Sequence, residues 1–104
     1  MKWFKDIHKR RIRLTDERQE HFQICHPEMP GQNDNIQKTL IEPDIVVKSK
    51  TDVTIEMFYR FFNNTPVGAK YLCVIVKISG KDFFIVTAYF TDTIKRGEVL
   101  WQKT

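Results

Sequence analysis

The chain has no apolar run near the ~20 residues that span a bilayer. Its opening, Met1-Lys-Trp-Phe-Lys-Asp-Ile-His8, also lacks the apolar core of a secretory leader. These two absences speak against a membrane-spanning or exported chain, so cytoplasmic residence is the expectation. Cysteine is scarce. Cys25 and Cys73 are 48 positions apart and neither belongs to a metal-ligand pair, so a reduced, buried pair is expected. Internal repeats and low-complexity segments are absent as well.

What is present is the makeup of one globular domain. A chain of 104 residues can bury about two-thirds of its unfolded surface, and 41% hydrophobic content is enough to fill a core. The net charge of +4 is unevenly spread. Lys2, Lys5, Lys9, Arg10, Arg11, Arg13 and Arg18 stand against only Asp6, Asp16 and Glu17 in the first eighteen positions, and residues 1–10 are expected to be a flexible basic arm. Such a surface attracts polyanions, nucleic acid first and acidic proteins second; alternatively, it serves solubility.

The segment Lys9–Thr15 alternates charged and apolar residues, with Ile12 and Leu14 inward, which predicts a short basic edge strand. Thr15 or Asp16 can cap a helix from Asp16 to Cys25 or His26, stopped by Pro27, with Arg18 (stem only), Phe22 and Cys25 as its buried stripe. A second helix carries Ile36, Leu40 and Ile41 and closes at Glu42-Pro43. Strands are predicted over residues 44–49, 53–62, 71–78 and 83–91, the last two joined by a turn at Ser79-Gly80-Lys81-Asp82. On that hairpin Leu72, Val74, Val76 and Ile78 would meet Phe84, Val86, Ala88 and Phe90 on the core face. The fold class is therefore α+β: an N-terminal strand and two helices packed on a four- to five-stranded antiparallel sheet.

Three histidines are the first candidates for chemistry. His8 sits in the basic arm; His21 and His26 lie five apart at the end of the first helix. A zinc site would need a third ligand that the spacing does not supply, so no metal and no cofactor are expected. Imidazole titrates near neutrality, which makes acid–base work the alternative to simple capping of the helix end. The solvent face of the predicted sheet would collect Glu56, Arg60, Lys77, Thr87, Tyr89 and Thr91. Cations and hydroxyls beside histidines can bind a phosphate and move protons, which is what metal-free RNA cleavage requires. The same face could instead be decorated for solubility, with Arg60 and Glu56 ion-paired.

The ordered pieces Arg11-Ile-Arg-Leu-Thr15, Glu20-His21, Cys25-His-Pro-Glu-Met29, Glu42-Pro-Asp44, Lys70–Lys77 and Phe84–Thr91 resemble a group of small phage- and bacterium-encoded proteins with a His-Pro-Glu motif. That group is similar to the barnase–EndoU–colicin–RelE class of ribonucleases, many of them toxins. The resemblance implies a metal-independent endoribonuclease with RNA as its partner and an antitoxin or immunity protein as a second one. It implies His26 as acid or base, His21 as the second candidate, Arg60 as the phosphate-binding cation, and Thr87 and Tyr89 as last-strand hydroxyls. Lys9, Arg10, Arg11, Arg13 and Lys77 would hold the nucleic acid. The final strand lacks the basic triplet of the ribosome-dependent RelE type. A non-catalytic module of the same fold, binding RNA or protein, is the alternative.

Overall fold

In the computed structural model, which describes residues 1–104, the basic N-terminus is not a flexible arm. Strand β1 (Lys2–Lys5) pairs antiparallel with β2 (Arg11–Leu14), with Lys2 opposite Leu14 and Lys5 opposite Arg11. Asp6 holds the connection. Its fully buried carboxylate accepts from the backbone N–H groups of His8 and Arg10 and from Arg10 Nε. Phe4 is buried in the main core, so both the turn and the strand are anchored.

Helix α1 (Asp16–Cys25) begins at Thr15, whose hydroxyl accepts from the Arg18 N–H at 3.2 Å, and acidic Asp16 and Glu17 occupy the favoured first turn. Phe22 is the one α1 residue that is fully buried, a contribution of roughly 1.5–3 kcal/mol. Arg18 is therefore not part of a buried stripe but exposed. Helix α2 (Asn33–Ile41) buries Ile36, Thr39 and Leu40 on the same core. Neither helix is long and apolar enough to cross a membrane.

Strands β3 (Ile45–Ser49), β4 (Ile55–Phe62), β5 (Lys70–Ser79) and β6 (Asp82–Thr91) form the expected antiparallel meander. The sheet does not stop there. β7 (Gly97–Gln102) adds to β3, and β2 adds in parallel to the start of β6, giving seven strands in the order β1-β2-β6-β5-β4-β3-β7. The expected four- to five-stranded antiparallel sheet is thus corrected to a larger, mixed one. The edges are β1 and β7, so β2, expected as an edge strand, lies between β1 and β6; the pattern of such short strands alone does not declare a partner.

The sheet is packed on both faces. Phe58, Leu72, Val74, Val76, Ile85 and Ala88 meet the helices, while Val47, Met57, Tyr59 and Cys73 form a second, smaller core on the opposite face. The loop after β6 covers part of that second core: Ile94 packs on it, and Lys95 N–H donates to the Tyr59 hydroxyl at 3.2 Å. A bulge at Val86 shifts the register between Ile75/Thr87 and Val76/Ile85. One extra residue reverses side-chain parity. Ala88 and Phe90 face the helices as expected, but so do Ile85 and Phe83, and not the expected Val86 and Phe84.

Candidate functional site

The turn after α1 is built to hold an imidazole. His26 is the C-cap: its N–H donates to the Phe22 carbonyl at 2.8 Å, and its own carbonyl accepts from Met29 N–H at 3.0 Å. Met29 is buried, so the Pro27–Glu28 corner is pinned at its far end. β2 pairs only with Phe83 and Phe84, which leaves the later part of β6 without a strand on that side. α1 packs against β6, and the His26 ring comes to rest on Tyr89, with centroids 5.4 Å apart and planes 29° from parallel. Its Nδ1 lies 3.9 Å from Glu28 Oε1, an electrostatic pairing too long for a direct hydrogen bond. The side chain keeps about a third of its surface open to solvent.

Tyr89 is fixed from below. Across the sheet Tyr59, Cys73 and Tyr89 lie opposite one another, so both phenols flank the buried thiol. Burial, reinforced by the neighbouring Cys73, pushes both tyrosine hydroxyls above their ordinary range; burial also pushes the Cys73 thiol up to about 11. All three are neutral at physiological pH. The Tyr89 ring is the aromatic seat on which His26 stacks. Thr87 shares that sheet face, opposite Ile75. Cys25, expected to be buried, is exposed, with its Sγ 3.8 Å from His21 Nε2.

Arg60 is not with them. It pairs opposite Leu72, whose side chain is in the helix-side core, whereas Tyr89 pairs opposite Cys73 on the other face. Arg60 Nη1 donates to the Glu42 carbonyl at 2.6 Å, far along the chain from the His-Pro-Glu turn. Glu56 shares the Arg60 face and is also removed from the expected constellation; it binds Arg10 Nη2 at 2.6 Å rather than Arg60. His21 lies on the exposed side of α1 beside Cys25, whereas His26, past the helix end, lies on Tyr89, so the two rings sit in different surroundings.

The expected nucleic-acid cations divide. The Arg10 head is taken up by Asp6 and Glu56. Arg13 makes a two-pronged pair with Asp82, both contacts 2.9 Å, which holds that carboxyl below its usual range. Lys77 pairs with Asp52 at 3.1 Å. Lys9 and Arg11 are exposed and unpaired, and Arg11 lies 4.3 Å above the Trp3 ring. Sequence reasoning missed Arg18 and Phe84. The Arg13 and Arg18 guanidinium groups sit 4.9 and 5.7 Å from the Phe84 ring, around a cavity of about 280 Å³. Arg18, His21 and Cys25, at i, i+3 and i+7, run along the exposed face of α1 from that cavity toward His26. The helical spacing was readable; that Phe84 faces out was hidden by the bulge. Glu28 was missed as a partner for His26, although it stands two places on in the same motif.

The fold and site together define a small α+β domain whose seven-stranded sheet is helix-covered on one face and carries an imidazole seated on a strand tyrosine. No protein-family model, curated protein or solved structure matches the chain.

Proposed function

We propose that the protein is a metal-independent endoribonuclease that cuts by attack of a neighbouring 2′-hydroxyl. The observation that carries the reading is the seat of His26: an imidazole about one-third open, stacked on Tyr89, with the Glu28 carboxylate facing Nδ1. Glu28 favours Nδ1–H, which leaves Nε2 to exchange a proton with substrate. In the reaction the 2′-oxygen loses its proton and bonds to phosphorus, the P–O5′ bond breaks, and the 5′-oxygen takes up a proton. A 2′,3′-cyclic phosphate and a 5′-hydroxyl result. His26 serves as the acid–base group. Arg18 supplies positive charge, and Phe84 beneath it an aromatic face, along the approach to His26. Arg60 has no part in this arrangement.

The resemblance of the His-Pro-Glu motif to toxin-like ribonucleases supports the same reading, with an antitoxin or immunity protein as a further partner. The position of Arg60 favours a second reading: a non-catalytic module that holds RNA or an acidic protein through Arg11, Arg18, Trp3 and Phe84. Induced expression separates the two. The ribonuclease reading expects growth arrest that His26→Ala abolishes and Arg60→Ala leaves in place. Arrest that survives His26→Ala favours the binding module.

A further inference from the structure

Arg60, displaced from the candidate active site, lies in a cavity of its own. The cavity measures about 240 Å³ and sits at the end of the helix-covered face, between the close of α2 and the end of β7. Its apolar walls are Ile7, Ile41, Pro43 and Trp101; its charged groups are Arg60, Lys103 and Glu42. Arg60 Nε is the one buried side-chain polar atom in the molecule with no hydrogen-bond partner. The guanidinium is otherwise held, by the Glu42 carbonyl at Nη1 and by the Phe62 ring 5.7 Å away. The Nε atom is closed to solvent, so a ligand in the cavity meets the guanidinium at its Nη ends and not at Nε. Lys103 takes part in no ion pair, so the lining holds two cations and the single acidic residue Glu42.

We propose that this cavity binds a carboxylate carried on an apolar body the size of one side chain. The acid would lie against Arg60 and Lys103, and the body against Pro43, Ile7 and the Trp101 ring. A carboxylate is planar and singly charged, which suits an edge of the guanidinium better than a phosphate dianion beside Glu42. The volume sets the size, since it falls below the roughly 300–1,000 Å³ of sites for drug-sized molecules. A free aryl or alkyl acid and the C-terminal residue of a peptide present the same chemistry.

The test titrates N-acetyl-L-phenylalanine, and separately a pentapeptide ending in Phe, each as the free acid and as the C-terminal amide. Calorimetry is read together with Trp101 emission in a Trp3→Phe background. The acid saturates the protein and the amide binds about tenfold more weakly or worse, a difference of about 1.4 kcal/mol. Saturation by both acids points to the free molecule as sufficient; saturation by the peptide alone points to capture of a C-terminus. Arg60→Gln, with its folding checked by thermal midpoint, loses binding, and Lys103→Ala weakens it several-fold. Equal affinity for acid and amide overturns the proposal, as does no binding of either acid up to on the order of 10 mM. Unchanged affinity in Arg60→Gln overturns it too; should that variant fail to fold, unchanged affinity in Lys103→Ala does so.

Discussion

Replacing Arg10 with Met keeps the aliphatic stem and removes the guanidinium. Burial works against the charge on Arg10, but the hydrogen bonds it donates to Glu56 and Asp6 outweigh it and raise the pKa above the ordinary arginine value. The variant leaves the fully buried Asp6 with two backbone donors and no counter-charge, and leaves Glu56 without its 2.6 Å partner. Stripping one member from a buried pair costs about 3–5 kcal/mol. The Arg10 side chain is 22% exposed, so water offsets part of the loss and the lower end, about 3 kcal/mol, applies. For a domain near this size each kcal/mol moves the thermal midpoint by about 4–8 °C, so a fall of roughly 12–24 °C is expected. Circular dichroism melting at neutral pH reads it directly. A companion Arg10→Met/Glu56→Met variant recovers part of the loss, because Glu56 no longer stands uncompensated. A shift of under about 2 °C in the single variant would refute the reasoning. RNA affinity, measured well below the melting range, is unchanged, since the Arg10 head is not available to a phosphate.

Asp52 provides a pH test. The Thr54 hydroxyl and N–H, then Lys77, hold its carboxyl at about 2, below the ordinary value of 3.8. A depressed acid contributes stability that is present above its unfolded pKa and lost as pH falls through the folded one. The midpoint difference between wild type and Asp52→Asn is therefore full above about pH 4 and closes by about pH 2. At Gly97 an added methyl group would collide with the Lys48 carbonyl oxygen and come within 2.7 Å of Val47 Cγ1. Gly97→Ala should cost about 1–3 kcal/mol and loosen β7 from β3, visible as faster amide exchange at Val99 and Trp101. A thiol reagent applied to the folded protein modifies Cys25 alone, because Cys73 is buried and held neutral.

The meander and α1 were readable because each carries a strong local signal: Thr15 at the cap, Pro27 at the stop, β-branched runs on either side of Gly80. The face of β4 was not. Phe58 and Phe62 point to the helices while Met57 and Tyr59 point to the second core, so both phases of the alternation are apolar and nothing in the strand itself says which side Arg60 takes. The bulge at Val86 is likewise silent, since Phe83, Phe84, Ile85 and Val86 are all apolar and either parity looks like a core face. β1 was masked by its charges. It needs Phe4 in the core and the Asp6 turn, and the latter is a tertiary arrangement with Arg10 and Glu56. The His26 turn was legible as a motif, but its seat on Tyr89 depends on β2 ending early beside β6.

The most direct measurement of the central claim incubates a labelled single-stranded RNA with purified protein in EDTA and examines the ends formed. The account predicts fragments bearing 2′,3′-cyclic phosphate and 5′-hydroxyl groups. It also predicts at least about a hundredfold loss in His26→Ala, in line with removal of an acid–base group, at a thermal midpoint close to wild type. Cleavage that proceeds equally well in His26→Ala, or intact RNA with the wild-type protein, contradicts it.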